Sequence, residues 1–221
     1  MSTEQQQAEL EAEPIEPEGP DDERAGDLDE ETLERRRHAL ANVRKFGDPV
    51  LRSPASPVDD YGSELAAEVE RMVAIMHDAL GVGLAATQLG LMRRLLVFQA
   101  GPDATPTALV NPEIEWSSEV AETAEEGCLS LPGIVVDVER PLHVRVRAND
   151  ASGTPLAIEA SGLEARVIQH EIDHLDGVLM LDRTPREQRI GALHALREGE
   201  SFSPEPEPEQ ENGDEPPVGG E

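Results

Sequence analysis

The placement of apolar residues confines folding to the middle of this chain. Only 8 of residues 1–37 and 2 of residues 199–221 are apolar, against 73 of the 161 residues between them. The ends also carry charge of one sign: residues 1–37 hold 14 acidic and 4 basic side chains, and residues 199–221 hold 8 acidic and no basic ones. Segments this poor in apolar side chains and this self-repelling cannot offset the entropy of ordering. Both ends read as disordered acidic tails, the second with polyproline-like character in PEPEPEQ. One domain, residues 38–198, remains to build a core.

The formal net charge of −29 argues against broad nucleic-acid binding, DNA above all, because a phosphate backbone needs a basic footprint. It equally disfavours docking on anionic lipid. No run approaches the roughly 18 apolar residues of a spanning helix. The opening MSTEQQQAELEAEPIEPEG lacks the basic and apolar regions of a secretion signal. A single cysteine, Cys128, rules out an intrachain disulfide. These features together point to a cytoplasmic protein.

Within the domain, FGDPVLRSPASPV (46–58) has three prolines and cannot be one helix. From Ser63, read as an N-cap, Leu65, Val69, Met72, Val73, Met76 and Leu80 fall on one helical face, and Gly81 stops that helix. Strand-like runs follow at 95–99, 107–110 and 134–138, and alternation over 142–147 marks a half-buried strand. Two capping-box patterns, at Ser161–Glu164 and Thr184–Glu187, predict further helices ending near Gly177 and Leu196. Strands cluster between helices without strict alternation, which predicts an α+β fold.

One of these helices carries His170-Glu171-Ile172-Asp173-His174, an H-E-x-x-H motif. Histidines at i and i+4 share a face, so both imidazoles can reach one metal ion, and the intervening glutamate can handle the proton of a water there. A catalytic metal site needs a third protein ligand. Downstream candidates are His194, Asp176 and Asp182, none in a distinctive setting. Upstream, Cys128 lies in the bend EEGCLS, where it reads as a ligand, a buried structural thiol or a nucleophile. A third segment, GVGLAATQLG (81–90), is not a phosphate loop, since it lacks the G-K-[ST] ending and follows a helix. Its small residues would let a substrate backbone approach, and Gln88 offers an amide donor for an oxyanion.

These three segments, in this order, resemble the peptide deformylase family, whose pattern is G-φ-G-φ-A-A-x-Q, then E-G-C-φ-S, then H-E-x-x-H. The chain matches with GVGLAATQ (81–88), EGCLS (126–130) and QHEIDHLDG (169–177), and GDPVLRSPASPV (47–58) is similar to the family's N-terminal segment. The resemblance covers about residues 38–190. It implies antiparallel sheets packed around a central metal-binding helix. It also implies hydrolysis of the N-formyl group of formylmethionyl peptides and nascent chains, with release of formate.

Carried onto this sequence, the resemblance makes Cys128, His170 and His174 the ligands of one divalent ion. That ion is typically Fe²⁺, with Zn²⁺, Ni²⁺ or Co²⁺ as substitutes, and water or hydroxide takes the fourth position. Glu171 would move the proton. Gln88 and the backbone N–H of Leu129 would hold the oxyanion. Gly83 would bind substrate main chain, and Val82, Ala124, Leu163 and Val167 would wall the methionine pocket. Two departures stand out. A basic residue common a few positions after the Cys motif is absent, with Val135 and apolar neighbours there instead. The family can act at the ribosome through its C-terminal helix, and Arg186, Arg189 and Arg197 could serve that purpose here, but the acidic tail opposes RNA contact.

Overall fold

The computed structural model describes residues 28–204. Four helices and seven strands are arranged in chain order: α1 Glu30–Asn42, α2 Ser63–Asp78, β1 Gly83–Ala85, β2 Leu95–Phe98, β3 Thr107–Ser117, β4 Ala121–Cys128, β5 Leu131–Pro141, β6 His143–Asn149, β7 Pro155–Ser161, α3 Leu163–Leu175 and α4 Arg186–Glu198. Pairing among these seven strands is antiparallel throughout. Strands β1-β2-β3-β6-β7 form one sheet, and β4 and β5 pair as a separate two-stranded sheet. This is the expected α+β arrangement, with the H-E-x-x-H helix α3 lying between the two sheets.

Three groups of apolar side chains fix the layers. Met72, Met76 and Leu65 of α2 bury against Leu84, Leu95 and Val97 and receive Ala39 from α1 and Val43 just after it. Ala165, Ile168, Ile172 and Leu175 of α3 bury against Leu96, Leu109, Val144 and Val146 of the larger sheet. Ile134, Val136 and Val138 of β5 pack under Ala192 and Ala195 of α4. Helix α3 thus spends one face on the larger sheet, leaving the opposite face for the small one.

The ordered unit is wider than 38–198. Residues 30–37, read from sequence as part of a tail, are the first turns of α1. Asp29 caps that helix by accepting from the Thr32 N–H at 2.7 Å, and Glu30 and Glu31 complement its dipole. At the other end, Phe202 pairs with β5 around Ile134, with the Val135 N–H donating to the Phe202 carbonyl at 2.8 Å. Its ring lies where a side chain at position 191 would stand, so Gly191 makes room for it. Residues 1–27 and 205–221, the remainder of the expected tails, lie outside the described residues.

Neither capping box forms. Gly162, not Ser161, precedes α3, with φ +57° and ψ −126°. That backbone is needed to turn directly from β7 into the helix and is open chiefly to glycine. Ser161 stays in β7, where its hydroxyl bonds His143 Nδ1 at 2.8 Å. Pro185 occupies the cap of α4, and Thr184 bonds the Gln188 side chain instead. Likewise Ser63 is the first residue of α2, and Gly62 is its cap.

Candidate metal centre

Helix α3 presents Arg166, His170 and His174 at successive i+4 positions, one stripe along its side. Strand β4 presents Ala124, Glu126 and Cys128 on one face by its period of 2. The two stripes meet. Cys128 Sγ lies 3.2 Å from His174 Nε2, and the His170 and His174 rings stand edge to face with centroids 5.0 Å apart. Cys128, His170 and His174 each offer a ligand atom, all within 4.8 Å of one another. One ion bonded at about 2.0–2.3 Å to each can span such a set. Among the described residues no other such group occurs. The alternative third ligands stand elsewhere: His194 is exposed on α4, Asp176 pairs with Arg94, and Asp182 pairs with Arg52.

The donor chemistry fits a metal. Burial alone would push the Cys128 thiol up, but the neighbouring His174 charge and bonds from both histidines outweigh it and hold the thiol well below its ordinary value. The shift favours the thiolate, the form that ligates. His170 Nδ1 lies 2.9 Å from Glu126 Oε2, which fixes the proton on Nδ1 and leaves Nε2 for a ligand bond. Glu171 is 4 % exposed, and its Oε2 has no hydrogen-bond partner among the described residues. Burial raises its pKa to about 6 despite the opposing histidine charges. A buried carboxyl oxygen without a partner is free to bond a water or substrate group in the site.

The glycine-rich segment supplies the third wall. Gln88 Oε1 accepts the Ala85 N–H at 2.9 Å, so its amide nitrogen must face the other way, toward Cys128 Sγ at 3.6 Å and Ser130 Oγ at 3.2 Å. Gly83 runs so close to Glu171 that a methyl group there would overlap the carboxylate. Residues 44–46 strap this segment to the cysteine bend, with the Arg44 N–H donating to the Gln88 carbonyl and the Phe46 N–H to that of Ser130. Leu129 sits in that bend, its carbonyl accepting from Lys45 Nζ at 2.9 Å.

The four expected pocket residues are less uniform. Val82 and Leu163 expose about half of their surface, at 48 % and 56 %. Ala124 is half-buried on the Cys128 face of β4, and Val167, on α3 itself, is buried in the core shared with the larger sheet.

Sequence reasoning missed the charged groups behind the ligands. Glu126, besides His170, accepts both Arg140 (2.5 and 2.9 Å) and Arg166 (2.9 Å). Burial opposes its ionisation, but the bonds from Arg140 and His170 prevail and hold the carboxyl far below its usual range. Asp173 accepts Arg140 at 2.9 Å and Arg183 as well. Two signals were present: an arginine among Ala165, Val167 and Ile168 on a buried helix, and a glutamate two places before the cysteine on one strand face.

The fold and the Cys, His and His donor set are those of a candidate metallohydrolase, and comparison with known proteins gives its family. The family model described as "Polypeptide deformylase" matches residues 40–189. The peptide deformylase of Acidothermus cellulolyticus is 44 % identical over 162 residues, covering 73 % of this chain and 88 % of that protein. That of Thermotoga neapolitana is 47 % identical over 151 residues, covering 68 % and 91 %. Among solved structures, the Synechococcus elongatus peptide deformylase in complex with actinonin superposes with TM-score 0.67 at 42 % identity, covering 72 % of this chain and 88 % of that one. The Thermotoga maritima enzyme gives 0.63 at 45 %, covering 65 % and 96 %. The chain belongs to the polypeptide deformylase family.

Proposed function

We propose that this chain hydrolyses the N-formyl group from the N-terminal formylmethionine of newly made polypeptides, releasing formate. The observation that carries the reading is the convergence of Cys128, His170, His174, Glu171 and the Gln88 amide on one buried spot, in a member of this family. Cys128, His170 and His174 would hold one divalent ion, Fe²⁺ by preference and Zn²⁺, Ni²⁺ or Co²⁺ in its place. When bound, that ion lowers the pKa of water and polarises the formyl carbonyl. Glu171 takes a proton from the attacking water and delivers it to the departing amine as the formyl C–N bond breaks and a C–O bond replaces it. The Gln88 amide and the Leu129 N–H donate to the carbonyl oxygen as it gains charge.

Substrate would enter as a strand. Among the described residues β1 is paired only with β2, and β4 only with β5, so each keeps a free edge beside the site. An extended peptide laid along Gly83 can pair with such an edge. Val82, Leu163 and Ala124 then offer apolar surface to the methionine side chain, with Val167 behind them, and an unbranched thioether suits a slot without polar partners. Apolar Val135 supplies no charge for downstream residues. The reading sets the reaction in the cytoplasm, on nascent chains, with residues 38–198 as its catalytic part and the acidic ends as solubilising extensions. On α4, Arg189 is engaged with Asp182 at 3.4 Å, which leaves Arg186 and Arg197 for any ribosomal contact.

Protein purified without oxygen should release formate from a formyl-Met tripeptide, and Glu171→Ala should not. Absence of release by folded, metal-loaded wild type would refute the assignment.

A further inference from the structure

The ligands come from two elements that scarcely touch. Cys128 ends β4 in the small sheet, while both histidines ride on α3, and direct contact between β4 and α3 is slight. Packing between α3 and the small sheet runs through β5, so the offset of β4 itself along α3 is left to side-chain bonds.

The strand and the helix run in the same direction, joined by polar rungs. His174 faces Cys128 at 3.2 Å, and His170 faces Glu126 at 2.9 Å. One turn earlier stands Arg166, 9 % exposed. Its guanidinium donates from Nη1 to Glu126 Oε1 and to the Val138 carbonyl, both at 2.9 Å, and from Nη2 to the Glu122 carbonyl at 2.7 Å. A single planar group therefore grips both strands of the small sheet at three points. It does so with the fixed fork geometry that a lysine cannot reproduce.

We infer that Arg166 is a positioning residue for the metal centre: it holds the small sheet at a fixed offset along α3 and so sets the spacing between Cys128 and the two histidines. The inference rests on the metal-site reading above. It follows from leverage. Arg166 lies two helical turns, about 12 Å, from His174. Removing the first rung lets the strand pivot about the others, and the displacement is felt at the far rung, where the thiolate must meet the ion. Arg166 also shares Glu126 with His170, so it acts on two of the three ligands. Arg140 supports the same glutamate from within the small sheet and reaches α3 only through Asp173. It does not bind the β4 backbone in its stead.

The test uses the full chain and Co²⁺, whose thiolate charge-transfer band reports the Cys128 bond directly. Arg166→Met and Arg166→Lys are compared with wild type and with Arg145→Met, a control in an exposed pair with Glu159. Circular dichroism establishes folding, and competition with a chromophoric chelator gives affinity. Folded Arg166→Lys keeps the positive charge but not the three-point grip. It should bind Co²⁺ at least about tenfold more weakly, with a reduced or shifted thiolate band, the scale expected when a group orienting a ligand is lost. Arg145→Met should match wild type. If wild type takes up Co²⁺ and Arg166→Lys does so with equal affinity and the same band, the inference is overturned while the metal reading stands. If wild type itself takes up none, both fall.

Discussion

At Glu171 the backbone of one segment and the carboxylate of another come into direct contact, so small changes there should be costly. Glu171→Gln keeps the shape of the side chain but cannot take a proton. We expect formate release to fall by at least about 100-fold while Co²⁺ affinity stays near that of wild type, because proton transfer of this kind contributes about 10²–10⁴-fold. Gly83→Ala should be nearly as damaging for a steric reason, since the added methyl overlaps the Glu171 carboxylate. Displacing a catalytic group by about 1 Å can cost about 10²-fold. Steady-state kinetics should show that loss in kcat, and a Gly83→Ala protein with unchanged kcat would contradict the contact. The candidate ligands, Glu171 and Gln88 could be proposed from sequence because each lies in a short local motif, and the structure brings them together. Arg166 and Arg140 could not, because an arginine's burial is decided by partners 14 to 44 residues away in the chain.

Among the elements, legibility followed periodicity. Helix α2 and strand β6 announce themselves by apolar spacing, and both are present. Strand β4, AETAEEGC, has no such pattern, and it exists because β5 pairs with it along its length. Strand β1 is three residues long and wholly buried, too short for any period to show. Helix α1 was lost among the charges of ERRR, though its buried Ala39 was enough, with Val43 just beyond, to dock it. The short turn at Met180–Asp182 offers a test that depends on pH. Asp182 accepts from Arg52 and from the Leu179 N–H. Burial would raise its carboxyl, but those bonds and the Arg52 and Arg189 charges outweigh it and place it below the ordinary 3.8. A depressed carboxyl stabilises the fold above its unfolded pKa and ceases to do so as pH falls through the folded value. Asp182→Asn should therefore cost about 0.5–1 kcal/mol at pH 7, discounted for the partial exposure of the pair. Urea unfolding should show that difference shrinking toward zero below about pH 4.

For the molecule as a whole, the two sheets belong to different cores, and α3 is buried in that of the larger sheet while meeting the small one through polar side chains. A metal ion bound by Cys128 from one side and the histidines from the other would add to whatever holds them together. Binding that favours the folded state adds about 2.7 kcal/mol at a free-ion concentration 100 times Kd. Removing metal with a chelator should therefore lower Tm as well as abolish formate release. A Tm indifferent to chelation would mean that the halves need no fastening. The seam also has a weak stitch. Cys128 is the only thiol in the chain, and a thiolate is the form that oxidants attack first. Peroxide acting on that one sulfur would unpick the join between the sheets, so inactivation by oxidant should be accompanied by a less stable protein and not by a silent but intact one.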